Sequence, residues 1–152
     1  MSSSSIAEAD RLWVVHIGND NQIALRARDE GFVCIGWEQL GDLKRLGRRE
    51  DFKAAMQERF PDASRSSISA MYGQVYRFVR EMRQGDPIVF PVRPTREIAI
   101  GRITGEYEYV TDDRQLMEAK YPNLRRVEWL KIVEDRVFTA RFVQLWQFLN
   151  CQ

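Results

Sequence analysis

The spacing of apolar residues changes at Gly85 from a helical to a strand-like pattern, and this change limits the folds that are possible. Between residues 67 and 82 apolar side chains recur every three or four positions, as on one face of a helix: Ile68, Met71, Tyr72, Val75, Val79 and Met82. Beyond Gly85, short runs rich in Val and Ile follow one another and predict consecutive strands. A doubly wound sheet requires regular alternation of strands and helices, so this pattern predicts a mixed α+β fold instead.

The same patterns predict the order β-α-β-α-α-β-β-β-α. Strands are expected at Leu12–Ile17, Phe32–Ile35, Pro87–Val92, Ile98–Glu106 and Arg125–Val133, and helices at 22–30, 50–60, 67–82 and 139–149. We expect Asp20 or Asn21 to cap the first helix, Gly31 to end it, and a bulge at Gly105. Residues 111–124 are expected to form an irregular, charged loop. The expected architecture is a small curved five-stranded sheet or open β-barrel with flanking helices.

Length and composition indicate one domain over residues 11–152, after a serine-rich leader (1–10) expected to be disordered. Apolar residues make up 44% of the chain, yet no run approaches the roughly 20 that a membrane span needs. The N-terminus lacks the basic start and apolar core of an export signal. Two cysteines, Cys34 and Cys151, do not make a disulfide framework. We therefore expect a cytoplasmic protein without membrane contact.

Arginine dominates the basic residues, with 19 Arg against 4 Lys, although the net charge is only +1. The planar guanidinium suits phosphates and base edges better than an ammonium does, but a GC-rich genome explains the same bias equally well. A near-neutral chain argues against purely electrostatic binding, so a nucleic-acid partner must be held by a local site.

Catalytic motifs are not evident. The single histidine, His16, excludes zinc motifs built on several histidines, and the sequence contains neither a phosphate-binding glycine loop nor a nucleophile elbow. Asp62 with Glu118 and Lys120 resembles a nuclease metal motif, but such a triplet arises readily by chance. We therefore expect no enzymatic activity, metal or cofactor. An enzyme would need an acid and base in the pocket, such as His16 or Lys44.

Several short segments, taken in order, resemble the PUA-like superfamily, which includes the EVE, YTH and ASCH domains. The likeness extends from Leu12 to about Phe142 and is closest to the modified-base reader domains that precede the nuclease in Mrr-type restriction endonucleases. It is carried by LWVVHI at 12–17, FVCIGW at 32–37, GDPIVF at 85–90, IAIGRI at 98–103 and RVEWL at 126–130. The chain ends at Gln152 without a nuclease domain. We therefore expect either a standalone reader or a nuclease that belongs to a partner or to a missing part of the chain.

The resemblance implies a pocket for a flipped base. Trp37, at the position of a cage tryptophan, would form one wall, although a tryptophan after a strand can also simply close the core. Asn19 and Asn21 would read the base edge. The second wall is assigned to Tyr107, with Tyr109 and Tyr121 as further options. Trp129 corresponds to a structural tryptophan.

Arginines near the pocket are the candidate contacts to the nucleic-acid backbone: Arg93, Arg96, Arg125 and Arg126. The resulting hypothesis is a non-catalytic reader of a modified, methylated base, in DNA ahead of RNA, within a restriction or defence system. The alternatives are an RNA-modification reader, or a small-molecule or protein-interaction module of the same fold. Such a module would show no salt-dependent affinity for nucleic acid.

Overall fold

The computed structural model describes residues 11–18 and 20–135 of the chain. They form a mixed α+β fold in which a curled, half-barrel sheet carries four α-helices. The strands are β1 (Trp13–Val14), β2 (Phe32–Ile35), β3 (Pro87–Val92), β4 (Glu97–Ile103), β5 (Glu108–Tyr109) and β6 (Asn123–Glu134). The helices are α1 (Asn21–Glu30), α2 (Arg49–Arg59), α3 (Arg65–Tyr76) and α4 (Arg114–Glu118). The predicted fold class, a small curved sheet with flanking helices, is confirmed.

The sheet has the strand order β1-β3-β4-β6-β2, and the two-residue β5 pairs with the start of β6. The pair β1–β3 is parallel, whereas the other pairs are antiparallel. Ile35, at the end of β2, lies opposite Asn123, at the start of β6. The chain that leaves β2 and the chain that enters β6 therefore share one end of the sheet.

Helix α1 connects the first two strands, and its ends follow the predicted chemistry. The Asp20 carboxylate accepts a hydrogen bond from the Ile23 amide at 3.0 Å and caps the first turn. Gly31 ends the helix at φ 78°, a conformation that glycine adopts readily. Since only Gly31 separates α1 from β2, the helix runs back along that strand. The N-terminus of α1 thus lies at the same end of the sheet as the exit of β2.

The hydrophobic core lies between one face of the sheet and the helices. Its largest fully buried side chains include Phe32 of β2, Phe52 of α2, Phe90 of β3 and Phe78, which follows α3. None of the helices in the described ranges is long and apolar enough to cross a membrane. The predicted leader (1–10) and last helix (139–149) lie outside the described residues.

At the predicted bulge, the amides of Thr104 and Gly105 both donate to the carbonyl oxygen of Arg126, at 3.0 and 3.2 Å, just past the end of β4. A further bulge, which the sequence did not predict, shifts the register of β4 and β6 between Ile100 and Gly101. Ile100 pairs with Lys131 and Gly101 with Trp129, so β6 carries one extra residue at this point. A Cβ atom on Gly101 would overlap the carbonyl oxygen of Glu128, which explains why glycine is needed there. Strand β4 also ends earlier than predicted, at Ile103.

Three further element predictions need correction. Only Trp13 and Val14 of the predicted strand 12–17 enter the sheet. The supposed loop 111–124 contains α4, which Asp113 caps by accepting from the Leu116 amide at 3.1 Å. The helix predicted over 67–82 begins earlier, after the cap Ser64, and continues past α3 as a π-helical turn over Arg77–Glu81.

Candidate functional site

Trp37, the predicted wall of a base-binding cage, follows β2 in an unusual backbone conformation. Its φ and ψ are 66° and 33°, in the left-handed region that a bulky L-residue seldom adopts. Such a residue costs of order 1–3 kcal/mol and persists only where its surroundings enforce it. The indole is partly buried and meets the Phe60 ring edge-on at 6.1 Å between centroids. The fold thus fixes the orientation of the Trp37 side chain at the expense of strain in its backbone.

Three chain segments meet beside Trp37 at this end of the sheet. A Cβ built on Gly18, in the loop before α1, would lie 3.1 Å from the Tyr121 hydroxyl. A Cβ built on Gly36 would lie 3.5 Å from the carbonyl oxygen of Lys120. The turn at 120–121, which leads into β6, therefore adjoins both the loop before α1 and the exit of β2.

The fold brings Tyr121 to this junction of Gly18, Gly36, Trp37 and the turn at 120–121, which is here called the Trp37 cluster. The side chain of Tyr121 is partly buried, and burial raises the pKa of its hydroxyl, while a hydrogen bond from the Gly18 backbone acts in the opposite direction. Asp20 and Cys34 are close enough to add to the increase in the pKa of Tyr121. The sequence offered Tyr121 as one of three tyrosines, and nothing in the local pattern distinguished it.

Tyr107, the tyrosine assigned to the second wall, is a core residue instead. Its side chain is 8% exposed. Its hydroxyl donates to Asn123 Oδ1 at 2.6 Å and accepts from the Leu43 amide at 3.1 Å. Burial raises the pKa of this hydroxyl well above its ordinary value. Both the ring and the hydroxyl of Tyr107 are therefore occupied, and its assignment to a cage wall is wrong.

Asn123 and Tyr107 together hold the segment that carries Trp37. The fully buried Asn123 side chain donates from Nδ2 to the carbonyl oxygen of Gly36, immediately before Trp37. Through the Tyr107 hydroxyl, the same network reaches the Leu43 amide at the far end of the segment. A buried amide with satisfied hydrogen bonds at both ends fixes a turn in one geometry. Sequence reasoning missed Asn123, which looked like a residue of a polar loop.

The two asparagines assigned to the base edge have different positions. Asn19 lies outside the described residues. Asn21 is exposed in the first turn of α1, beside the cap Asp20. Because the N-terminus of α1 shares the end of the sheet with Trp37, Asn21 belongs to the same region of the surface.

Tyr109 pairs with Asn123 at this same end of the sheet, and it lines a polar cleft of about 340 Å³ between α1, α4 and β5. The cleft is lined by two arginines, Arg26 and Arg126, and by four carboxylates: Glu30, Glu108, Asp112 and Asp113. Arg26 Nη2 is bound to Asp113 at 2.9 Å and Arg26 Nε to Glu30 at 2.6 Å. This excess of negative charge does not suit a phosphate. The described residues contain no group of His, Cys, Asp and Glu arranged to hold a metal ion.

The predicted backbone contacts divide into three cases. Arg125 is buried, at 4% exposure, and its guanidinium donates to the carbonyl oxygens of Phe78 and Val79 at 2.8 and 3.1 Å. A third bond reaches the carbonyl of Gly105 at 3.1 Å. Arg125 is thus unavailable to a phosphate, and that assignment is wrong. Arg126 is exposed but lies 3.5 Å from the Glu108 carboxylate.

Arg93 and Arg96 are exposed in the turn between β3 and β4. Glu97, next to this turn, binds Arg28 near the C-terminal end of α1 at 3.0 Å. Arg28 lies seven residues after Asn21, about 10 Å along α1 from the helix N-terminus that shares the end of the sheet with Trp37. Burial lowers the pKa of His16, and the positive charge of nearby Arg93 lowers this pKa further. Arg93 therefore lies near His16, which precedes Gly18 of the Trp37 cluster by only two residues, whereas Arg96 lies next to Glu97 near the C-terminal end of α1.

Comparison with known proteins assigns the chain to a group but gives it no activity. A protein family described as a domain of unknown function (DUF8426) matches residues 13–144. No curated protein matches the sequence.

Proposed function

The chain belongs to the DUF8426 family, and for this member we propose the function of a non-catalytic reader that binds a modified base of DNA. The observation that supports this proposal is the left-handed backbone conformation of Trp37, at the place where the loop before α1, the exit of β2 and the entry to β6 meet. A fold that maintains a strained aromatic residue at a junction of loops is typical of a binding site. The resemblance of residues 12–142 to PUA-like readers supports the same interpretation.

The proposed recognition takes place at the Trp37 cluster. A base turned out of the duplex stacks on the indole. Binding is stabilised further when a methyl group on the base edge is buried against the aromatic surface and leaves water. Asn21 supplies an amide to the polar base edge, and Tyr121, whose hydroxyl adjoins Gly18, is the candidate for a second aromatic wall. The Asn123 and Tyr107 network keeps the indole in place before the base arrives, which reduces the ordering cost of binding. In a restriction or defence system, cleavage would then fall to a nuclease domain or subunit.

The test is binding of the purified protein to short duplexes that carry methylated adenine, modified cytosine or unmodified bases. We expect a preference for one modified duplex. Trp37→Ala should lower affinity for that duplex by about 1–3 kcal/mol, the usual contribution of a stacked base, and should hardly change affinity for the unmodified one. Fluorescence anisotropy measures both affinities.

Trp13→Phe is the matched control, because Trp13 is also partly buried but binds Asp86 through its indole nitrogen at 2.8 Å. Urea unfolding verifies that each variant is folded. Equal affinity for all duplexes would exclude the reader function, and an unchanged preference in folded Trp37→Ala would exclude Trp37 as its stacking residue. Preference for a modified RNA alone would favour the RNA reader, and binding to no nucleic acid would favour an interaction module.

A further inference from the structure

Charge is unevenly divided along this nearly neutral chain. Residues 44–80, here called the basic segment, contain nine Lys and Arg against four Asp and Glu, a net charge of +5. The rest of the chain therefore carries −4, since the total is +1. The basic segment comprises α2, α3 and their connections. The part of the chain that contains α2 and α3 thus carries an excess of positive charge that the overall composition conceals.

The cations of the basic segment are not neutralised by neighbouring acids. Outside it, five described arginines lie within 3.5 Å of a carboxylate: Arg11, Arg26, Arg28, Arg114 and Arg126. Within the basic segment, which is described throughout, no Lys or Arg has such a partner among the described residues. Its exposed cations that contact neither a carbonyl nor an aromatic ring are Lys44, Arg48, Lys53, Arg59, Arg65 and Arg77.

The remaining three cations of the basic segment serve the fold. Arg45 donates to the carbonyl oxygen of Leu40 at 2.9 Å, and Arg80 to that of Lys44 at 3.0 Å. Arg49 lies over the rings of Tyr72 and Tyr76, at 5.9 and 5.3 Å from the centroids. Ion pairing has no part in these roles either, so their charge also adds to the local positive potential.

The basic segment adjoins the Trp37 cluster. Arg59 is the last residue of α2 and precedes Phe60, whose ring contacts Trp37. Arg65 begins α3 on the other side of the same short turn. Helix α2 extends from this turn for about 16 Å, which is enough to follow several successive phosphates of a DNA strand. Positive charge therefore continues from the stacking residue along the helices.

We propose that the basic segment is the surface that docks on the phosphate backbone of duplex DNA, an inference that rests on the proposed reader function. Its occupant is specified by charge complementarity, because a duplex presents a dense row of negative charges that exposed, unpaired Lys and Arg neutralise. The carboxylate-lined cleft between α1 and α4 repels the same phosphates and turns that side away. The surface fixes the orientation in which Trp37 meets a base, without reading sequence.

The test replaces three of these cations together. In the variant K53Q/R59Q/R65Q, affinity for unmodified and modified duplexes should fall by the same factor, about tenfold or more at low salt. The slope of log affinity against log salt should decrease by up to about 2.7, the value for three lost phosphate contacts. The ratio of affinities for modified and unmodified DNA should stay unchanged.

The matched control is R11Q/R114Q/K131Q, which removes the same charge and the same residue types from outside the basic segment. We expect it to retain the affinity and the salt slope. An equal loss in both variants, or a larger loss in the control, would overturn the docking surface, as would binding to RNA but not to duplex DNA. Thermal unfolding verifies that both variants are folded.

The two proposals fail in different ways. If K53Q/R59Q/R65Q weakens binding but Trp37→Ala leaves the modification preference intact, the docking surface stands and the reader site is wrong. If Trp37→Ala removes the preference but the triple variant binds normally, only the docking surface is wrong. Absence of any duplex binding overturns both.

Discussion

Lys120 occupies a backbone position that favours glycine. It follows α4 with φ 64°, its amide donates to the carbonyl of Met117 at 3.1 Å, and the next amide, of Tyr121, donates to that of Leu116 at 2.9 Å. These two bonds define the Schellman ending of a helix, in which the left-handed residue is usually glycine. The lysine side chain is exposed. The strain here serves to turn the chain toward β6 beside Trp37.

Lys120→Gly should therefore stabilise the protein by about 1 kcal/mol, because glycine relieves the left-handed strain that the Cβ atom imposes. The midpoint of urea unfolding, monitored by circular dichroism, should rise with an unchanged slope. Lys120→Ala removes the same side chain but keeps a Cβ, so it should give no such gain. A gain of equal size in both variants would show that the lysine side chain, not the backbone, is unfavourable.

Residue patterns predicted Trp37 as a site candidate but not its surroundings. Its location after a strand and a glycine is visible in the sequence, whereas the left-handed conformation depends on tertiary contacts. Tyr107 and Tyr121 are both tyrosines next to polar residues, and only the fold places the first in the core and the second at the junction. Side-chain roles that depend on contacts between distant segments are not encoded in local spacing.

At the scale of elements, the π-helical turn after α3 depends on Arg125. Within a π turn the backbone is wider than in an α-helix, and such turns are rare and local. The buried Arg125 guanidinium donates hydrogen bonds to the carbonyl oxygens of Phe78 and Val79 in the turn and to that of Gly105 before β5. Burial lowers the pKa of Arg125, which reflects the cost of placing this charge in the core. The side chain joins three separate parts of the chain.

Arg125→Met should lower the free energy of unfolding by about 2–4 kcal/mol, because it leaves buried carbonyl oxygens without donors while filling a similar volume. Urea denaturation measures the loss, and amide exchange should accelerate over residues 77–82 first. Arg126→Met is the control at the neighbouring exposed position and should change stability by less than about 1 kcal/mol. If Arg125→Met has the same free energy of unfolding as the original protein, the stabilising role assigned to Arg125 is wrong.

Elements with clear apolar patterns were predicted well, and polar buried ones were not. Strands β2 and β3 have the predicted bounds because their cores are continuous apolar runs. The start of β6 was predicted two residues late, at Arg125, because the strand begins with Asn123, which is buried for its hydrogen bonds and not for hydrophobicity. Helix α4 is too short to show a period, and its only strong signal was the cap Asp113.

At the scale of the whole molecule, α1 is connected to two distant elements by arginines. Arg26 binds Asp113 at the start of α4, and Arg28 binds Glu97 at the start of β4 at 3.0 Å. Between them these pairs fix the helix that carries one side of the Trp37 cluster. Hydrogen bonds from Arg26 hold the pKa values of Glu30 and Asp113 below their ordinary values. For Glu97, bonds from Thr95 and Arg28 have the same effect on the pKa.

These lowered pKa values make folding stability dependent on pH in the acid range. The unfolded chain, with ordinary carboxyl pKa values near 4, binds protons at a higher pH than the folded protein does. The stability that the pairs contribute is therefore fully present above about pH 5 and is lost as the pH falls through the folded pKa values. We expect the contribution of these pairs to the urea midpoint to stay constant between pH 7 and 5 and to decline below about pH 4. Arg26→Gln should be about 1 kcal/mol less stable at pH 7, and this difference should shrink toward zero in acid because the carboxyls then lose their charge in both proteins.

Arg11→Gln, which breaks an exposed pair with Glu81, should keep the acid dependence of the original protein. A difference for Arg26→Gln that is the same at every pH would show that Arg26 stabilises α1 through packing on the Phe32 ring, 5.7 Å from its guanidinium, and not through the carboxylates.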